Sequence, residues 1–218
     1  MYEILEDLRI GGLVLDLGCR RGSFPSSRTA GTVIRLDREI DFVAPGELAV
    51  RADAASLPFA RASIRAVVAN HSLEHFDDLS ACLRGIGRVL RPGGSLFISV
   101  PDASTITDKL YRWLSRGGGH VNAFVAPEQI VRAVEQATGR KHAATRTLCS
   151  SLSFLNRRNA PHPRPRRLLL LGGGCDWSLL LYTWLSRRID RVFHLRTGIF
   201  YYCPSCGTRN AFASDLPQ

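Results

Sequence analysis

Leu13-Val14-Leu15-Asp16-Leu17-Gly18-Cys19-Arg20-Arg21-Gly22, followed by Val33-Ile34-Arg35-Leu36-Asp37, is the stretch on which the fold turns. The first apolar run ends in a glycine-bearing turn, and the second ends in an acid twenty-one residues after Asp16. Glycine at such a turn lets a ligand approach the backbone, and an acid closing the next strand can accept hydrogen bonds from two ribose hydroxyls. The pattern is that of a nucleoside site at the carboxyl edge of a parallel sheet. Taken alone, Gly18 and Gly22 fit a plain tight turn equally well.

Working outward, the runs Leu13 to Leu17, Thr32 to Leu36, Leu48 to Arg51, Ile64 to Ala69 and Leu96 to Val100 read as buried strands. Helical patterns separate them. Leu79, Leu83, Ile86 and Leu90 fall at spacings of three and four in a segment that Pro92-Gly93-Gly94 should stop. Pro127 to Thr138 is a second helix, begun by proline and ended by Gly139. Strands alternating with helices predict an α/β fold with a doubly wound parallel sheet. A sixth strand is expected near Lys141 to Cys149 and a last one around Gly198 to Cys203.

Five segments in one order carry a resemblance: LVLDLGCRRG at 13–22, VIRLD at 33–37, RADAASLPF at 51–59, SIRAVVANHSLEHFDD at 63–78 and RVLRPGGSLFISVP at 88–101. Over roughly residues 10–140 the chain resembles the class I S-adenosylmethionine-dependent methyltransferases, in their small bacterial form. The resemblance implies a Rossmann-like seven-stranded methyltransferase sheet and S-adenosyl-L-methionine as cofactor. It implies that Asp16, Gly18, Cys19 and Gly22 surround the methionine part, with Asp16 toward the ammonium group. Asp37 would hold the ribose, Asp53 and the backbone of Ala54 would meet the adenine, and Asn70 with His71 would floor the site near the sulfonium. Asp16, Asp37 and Asp53 each have a plainer role open to them, as helix caps or loop formers. Where the family usually carries glycine, this chain has Arg20, which either crowds the pocket or pairs with the cofactor carboxylate.

Methyl transfer from a sulfonium asks the protein mainly for alignment and sometimes for a base. His71, Glu74 and His75 after the fourth strand and His120 after a glycine run are the candidates, His120, His71 and His75 being preferred as catalytic residues. The expected acceptor is a small molecule, a sugar or a lipid-linked intermediate, methylated at oxygen. A nucleic-acid acceptor ranks lower, because no base-flipping motif or RNA-binding module is recognisable. The rival reading is a catalytically degenerate adaptor on the same fold, binding an anionic surface or a partner protein. Oligomeric state is left open by the sequence.

The 218 residues are 45% hydrophobic, enough for one domain with a core. The formal charge is +10, which permits an anionic partner such as nucleic acid, phospholipid headgroups or a phosphorylated substrate without choosing among them. Residues 153–196 hold nine Arg and two Asp, a local balance of +7. The chain therefore divides into a core at 1–152, a basic, partly helical insertion at 153–196, and a last strand with a tail at 197–218. Within the insertion Leu168 to Leu185 carries Asp176 as its single charge. Gly172-Gly173-Gly174 and that acid argue against a membrane span. A helical cap on the protein is the first expectation, and peripheral contact of 168–191 with an anionic membrane the second. The six cysteines are mostly isolated in apolar runs, and the first residues lack a basic, apolar export signal, so a cytoplasmic location is expected. Cys203 and Cys206 make only half of a closed zinc site, and no metal is expected.

Overall fold

A computed structural model describes residues 11–20, 22–40, 44–114, 119–141, 144–148 and 199–203, with seven helical positions between 181 and 193. Its strands are β1 (Leu13–Leu17), β2 (Thr32–Asp37), β3 (Leu48–Arg51), β4 (Ile64–Asn70), β5 (Leu90–Pro101), β6 (Ala144–Leu148) and β7 (Ile199–Cys203). They form one sheet in the order β3-β2-β1-β4-β5-β7-β6. The five strands β1 to β5 pair in parallel, with β1, β2, β4 and β5 largely buried and β3 mostly exposed at the edge, and β7 is antiparallel to both its neighbours. The chain leaves β1 toward β2 on one side, while β4 flanks β1 on the other. Loops at that point diverge and leave a crevice beyond the carboxyl ends of the strands.

The helices are α1 (Leu79–Val89), α2 (Ile106–Leu114) and α3 (Pro127–Thr138). α1 buries Cys82, Leu83, Ile86 and Val89 on one face, and the Asp78 side chain caps it by accepting from Ala81 N at 2.8 Å. α3 begins at Pro127 and ends at Gly139, whose φ of 68° is the left-handed conformation that glycine adopts without a side-chain clash. Between β1 and β2 the described residues hold a 3-10 turn at Ser26–Arg28, consistent with the short sequence available there.

One boundary differs from the sequence expectation. Pro92-Gly93-Gly94 does not form a loop after the helix; α1 ends at Val89 and β5 starts at Leu90, which pairs with Ile64. The register shifts between Ile64 and Ala66, so the Pro-Gly-Gly segment lies in a strand irregularity that absorbs extra residues. A Cβ on Gly94 would sit 2.9 Å from the carbonyl oxygens of Arg65 and Arg91. α2 was not among the expected elements.

The insertion expected at 153–196 lies outside the described residues except at positions 181, 184, 185, 188, 189, 192 and 193, all helical. Among the described residues no helix is long and apolar enough to cross a membrane. Cys206 also lies outside them, so the proposed half-site does too.

Candidate functional site

The first turn is shaped by close contact. Gly18 has φ +67°, and a Cβ there would meet Ser72 Cβ at 2.6 Å and the Phe76 ring at 3.1 Å. The turn after β1 thus lies directly against the segment after β4. Gly18 N donates to Leu36 O at 2.8 Å, which joins it to β2 as well. Gly22, with φ +95°, passes over the Arg35 guanidinium.

Along these loops runs a cavity of about 600 Å³, within the range of small-molecule sites. At one end are Gly18, Cys19, Arg20, Gly22 and Ser23; Asp37, Arg38, Ala52 and Ala54 line the side, and Asn70, His71, His75 and Tyr111 the other end. Of the residues expected at a cofactor, Gly18, Cys19, Gly22, Asp37, Ala54, Asn70 and His71 reach this cavity. Asp37 accepts from Arg20 N at 2.7 Å and from Glu39 N at 3.0 Å. Each carboxylate oxygen keeps a second lone pair, so the pair remains able to accept from a diol. Asn70 Oδ1 accepts from Ser99 Oγ at 2.5 Å, which fixes the amide at the floor.

Asp16 stands behind the wall. It is fully buried, its Oδ2 accepts from Ser23 N at 2.8 Å, and it is paired with Arg35. Arg35 also reaches Glu47 at 2.5 Å and 2.9 Å. Burial pushes the Asp16 carboxyl above its ordinary range, opposed by the Ser23 amide and by Arg35. Glu47 is held below the ordinary carboxylate range, chiefly by its hydrogen bonds from Arg35. The sequence reading missed this triad, although a lone arginine inside the β2 apolar run, in register with Asp16, is its visible sign.

Asp53 also lies off the cavity wall. Its Oδ1 accepts from Ala55 N at 2.8 Å and its Oδ2 from Arg38 Nη2 at 2.6 Å; the amide, with Arg38, lowers its pKa. Arg38, which also reaches Asp77 at 3.3 Å, is the side chain that this part of the chain presents to the cavity. Arg20 neither fills the cavity nor is free within it. Its φ is +50°, and its guanidinium points to Glu39 at 3.8 Å, with two thirds of the side chain exposed. That left-handed φ is one that glycine adopts more readily than arginine. Cys19 is buried and its thiol is pushed up to about 12 by burial, which leaves it unsuited to act as a nucleophile.

The histidines converge from two segments. A 3-10 turn at Leu73–His75 follows β4, and the Glu74 carbonyl accepts from Val121 N at 2.8 Å and Asn122 N at 3.0 Å. Asn122 Nδ2 donates to Leu73 O at 3.0 Å and Phe76 O at 2.7 Å. These bonds bring His120 edge-on to His75, ring centroids 4.8 Å apart, with Tyr111 at 5.1 Å. His120 Nδ1 is 3.4 Å from Asp108 Oδ1, and the side chain is 8% exposed, so it stands behind His75 and Tyr111. His71, exposed and at φ +49°, has Nδ1 3.5 Å from Glu74 Oε1.

Comparison with known proteins agrees with this geometry. Residues 15–98 match a family model described as a methyltransferase domain. A malonyl-[acyl-carrier protein] O-methyltransferase of Hahella chejuensis is 30% identical over 180 residues, 71% of this chain and 64% of that protein. A ubiquinone biosynthesis O-methyltransferase of Xanthomonas oryzae pv. oryzae is 27% identical over 148 residues, covering 58% and 62%. The chain thus spans somewhat less than two thirds of these relatives. Among solved structures, a putative methyltransferase from an antibiotic biosynthesis pathway of Anabaena variabilis superposes with a TM-score of 0.62 at 13% identity, covering 92% of this chain and 93% of that one. Motif order, parallel sheet, crevice and domain match converge on one assignment: residues 15–98 carry a methyltransferase domain, and the fold is the Rossmann-like one of the class I S-adenosylmethionine-dependent methyltransferases.

Proposed function

We propose that this protein transfers a methyl group from S-adenosylmethionine to an oxygen of a small-molecule, sugar or lipid-linked acceptor. The observation that carries the reading is the cavity itself, with the Gly18 turn and Asp37 at one part and a polar end of His71, His75 and Tyr111 at the other. The relatives named above, both O-methyltransferases, support oxygen as the acceptor atom. In this reading Asp37 accepts from the ribose hydroxyls, Ala54 and Arg38 border the adenine, and Asn70 and His71 floor the reacting end. Asp16 acts as a positioning residue, holding the Ser23 amide and hence the turn. The cofactor supplies an electrophilic methyl group on a good leaving group, so the protein's share is alignment, exclusion of water and removal of the acceptor proton.

The test is calorimetric titration with S-adenosylhomocysteine, followed by transfer of labelled methyl from S-adenosylmethionine to a panel of hydroxylated acceptors. Asp37→Ala should weaken cofactor binding about 10- to 100-fold, from the loss of hydrogen bonds to a charged acceptor. Unchanged affinity would remove the nucleoside from its assigned place.

A peripheral site of action belongs to the same proposal. At helical spacing Trp184, Leu185, Ile189, Val192 and Phe193 are exposed, and Arg188 lies 5.2 Å over the Trp184 ring. An apolar stripe within a segment of charge +7 suits an anionic lipid surface. Binding to anionic vesicles that is weakened by salt and by Trp184→Ala with Phe193→Ala is expected; binding that ignores both would rule out lipid docking through this stripe.

A further inference from the structure

We infer that Glu74, His75 and His120 form a binding site for one divalent transition-metal ion at the acceptor end of the cavity. Their ligand atoms all lie within 4.8 Å of one another. Tetrahedral coordination at ordinary bond lengths needs them about 3.4 Å apart, so a contraction of up to about 1.4 Å closes the set. A carboxylate with two imidazoles is a donor set that holds zinc or its neighbours while leaving positions open.

Three further observations favour a metal over a mere polar cluster. Glu74 is 1% exposed, and its Oε2 is buried with no hydrogen-bond partner among the described residues. A buried carboxylate oxygen left bare is costly unless a cation meets it. Next, each imidazole has its other nitrogen engaged. His75 Nδ1 is 2.9 Å from Gly119 O while its Nε2 faces Glu74 Oε1 at 4.0 Å. His120 Nδ1 faces Asp108 Oδ1 at 3.4 Å, leaving Nε2 as the ligand atom. A carbonyl or carboxylate behind a histidine is the arrangement that fixes the tautomer of a metal ligand. Asp108 is in turn held by Arg112 Nε at 2.8 Å. Finally, the two segments that contribute ligands are tied by the four hydrogen bonds from Val121 and Asn122, so the backbone already holds them side by side and side-chain shifts alone have to close the set.

His75 places the site on the cavity wall. Resting on the O-methylation reading, the ion would bind the acceptor oxygen and lower the pKa of its hydroxyl, so that the proton leaves to solvent as the methyl group arrives. Metal binding itself is independent of that reading and is tested independently.

Full-length protein, stripped with a chelator, is titrated with Co²⁺ and Zn²⁺ by calorimetry and visible absorption, with S-adenosylhomocysteine binding measured on every sample. One equivalent of Co²⁺ should bind, with visible d–d bands and no thiolate charge-transfer band. Asp108→Asn, a positioning change, should weaken it about 10- to 100-fold, and Glu74→Gln or His120→Ala at least as much. Retained S-adenosylhomocysteine binding shows that a variant is folded. A wild-type chain that binds S-adenosylhomocysteine but no metal overturns the site and leaves the cofactor reading intact. Metal binding that survives His120→Ala, or that shows thiolate charge transfer, places the ion at the cysteines and overturns it equally. Loss of cofactor binding in the wild type with metal binding kept would sink the cofactor reading alone.

Discussion

Gly18 is a position where an added methyl group has no room: its Cβ would fall 2.6 Å from Ser72 Cβ, at a positive φ. Gly18→Ala should cost about 1–3 kcal/mol in denaturant unfolding from overpacking, and weaken S-adenosylhomocysteine binding measured on the same sample. Arg35 presents the opposite case, a side chain whose removal leaves too little. Asp16 and Glu47 both depend on it, with side-chain exposures of 0% and 5%. Arg35→Ala should destabilise the fold by about 3–5 kcal/mol, since two carboxylates would stay buried without their cation. Urea unfolding of the two proteins checks this, and a loss under ~1 kcal/mol would mean that water replaces the guanidinium. Asp37 was legible as an acid at the cavity because it ends its strand. Asp16 was legible only as an acid in the right place: its partners are Ser23, Arg35 and, through Arg35, Glu47, and the last of these lies beyond the strand.

At the scale of elements, β1, β2 and β4 could be placed from sequence because buried parallel strands are nearly continuous apolar runs bounded by turn residues, whereas β3 is a strand as expected but mostly exposed at the sheet edge rather than buried. α3 could be placed because proline and glycine mark its ends. The start of β5 could not, since Pro92-Gly93-Gly94 reads locally as a stop while its pairing with β4 depends on a register shift. α2 carries a helical signal of its own in Ile106, Leu110 and Leu114, supported by the Asp108–Arg112 pair one turn apart. The meeting of His120 with His75 had no local signature; it depends on Asn122 reaching back to Leu73 O and Phe76 O. Asn122→Ala should therefore lower stability by about 1–3 kcal/mol through unsatisfied carbonyls and slow methyl transfer more than it weakens cofactor binding. Steady-state kinetics beside calorimetry separates the two effects.

For the molecule as a whole, Cys19 and Cys82 report on global opening. Cys19 is buried in the turn after β1 and Cys82 on the inner face of α1, and burial pushes both thiols up to about 12. In the native state their thiolate fractions at neutral pH are therefore very small, and the raised values are lost on unfolding. Peptide-resolved alkylation should find both unreactive at pH 7.5 until the denaturant concentration that melts the sheet. Saturating S-adenosylhomocysteine, at about 100 times its dissociation constant, should delay that point by about 2.7 kcal/mol. Labelling of Cys19 well before the sheet melts would show that the first turn opens by itself.

The contact of Gly18 with Ser72 also has a consequence for how such a sequence can change over time. Two motifs more than fifty positions apart share one interatomic gap, so neither is free to drift alone. A side chain at 18 would need 72 to give up its own and would still carry the cost of a positive φ and of the Phe76 ring, so a library randomised at both positions should return glycine at 18 in nearly every folded clone and only small residues at 72 beside any exception. Substitutions that retune the acceptor end through the segment after β4 will be filtered first by whether they leave the cofactor turn its space.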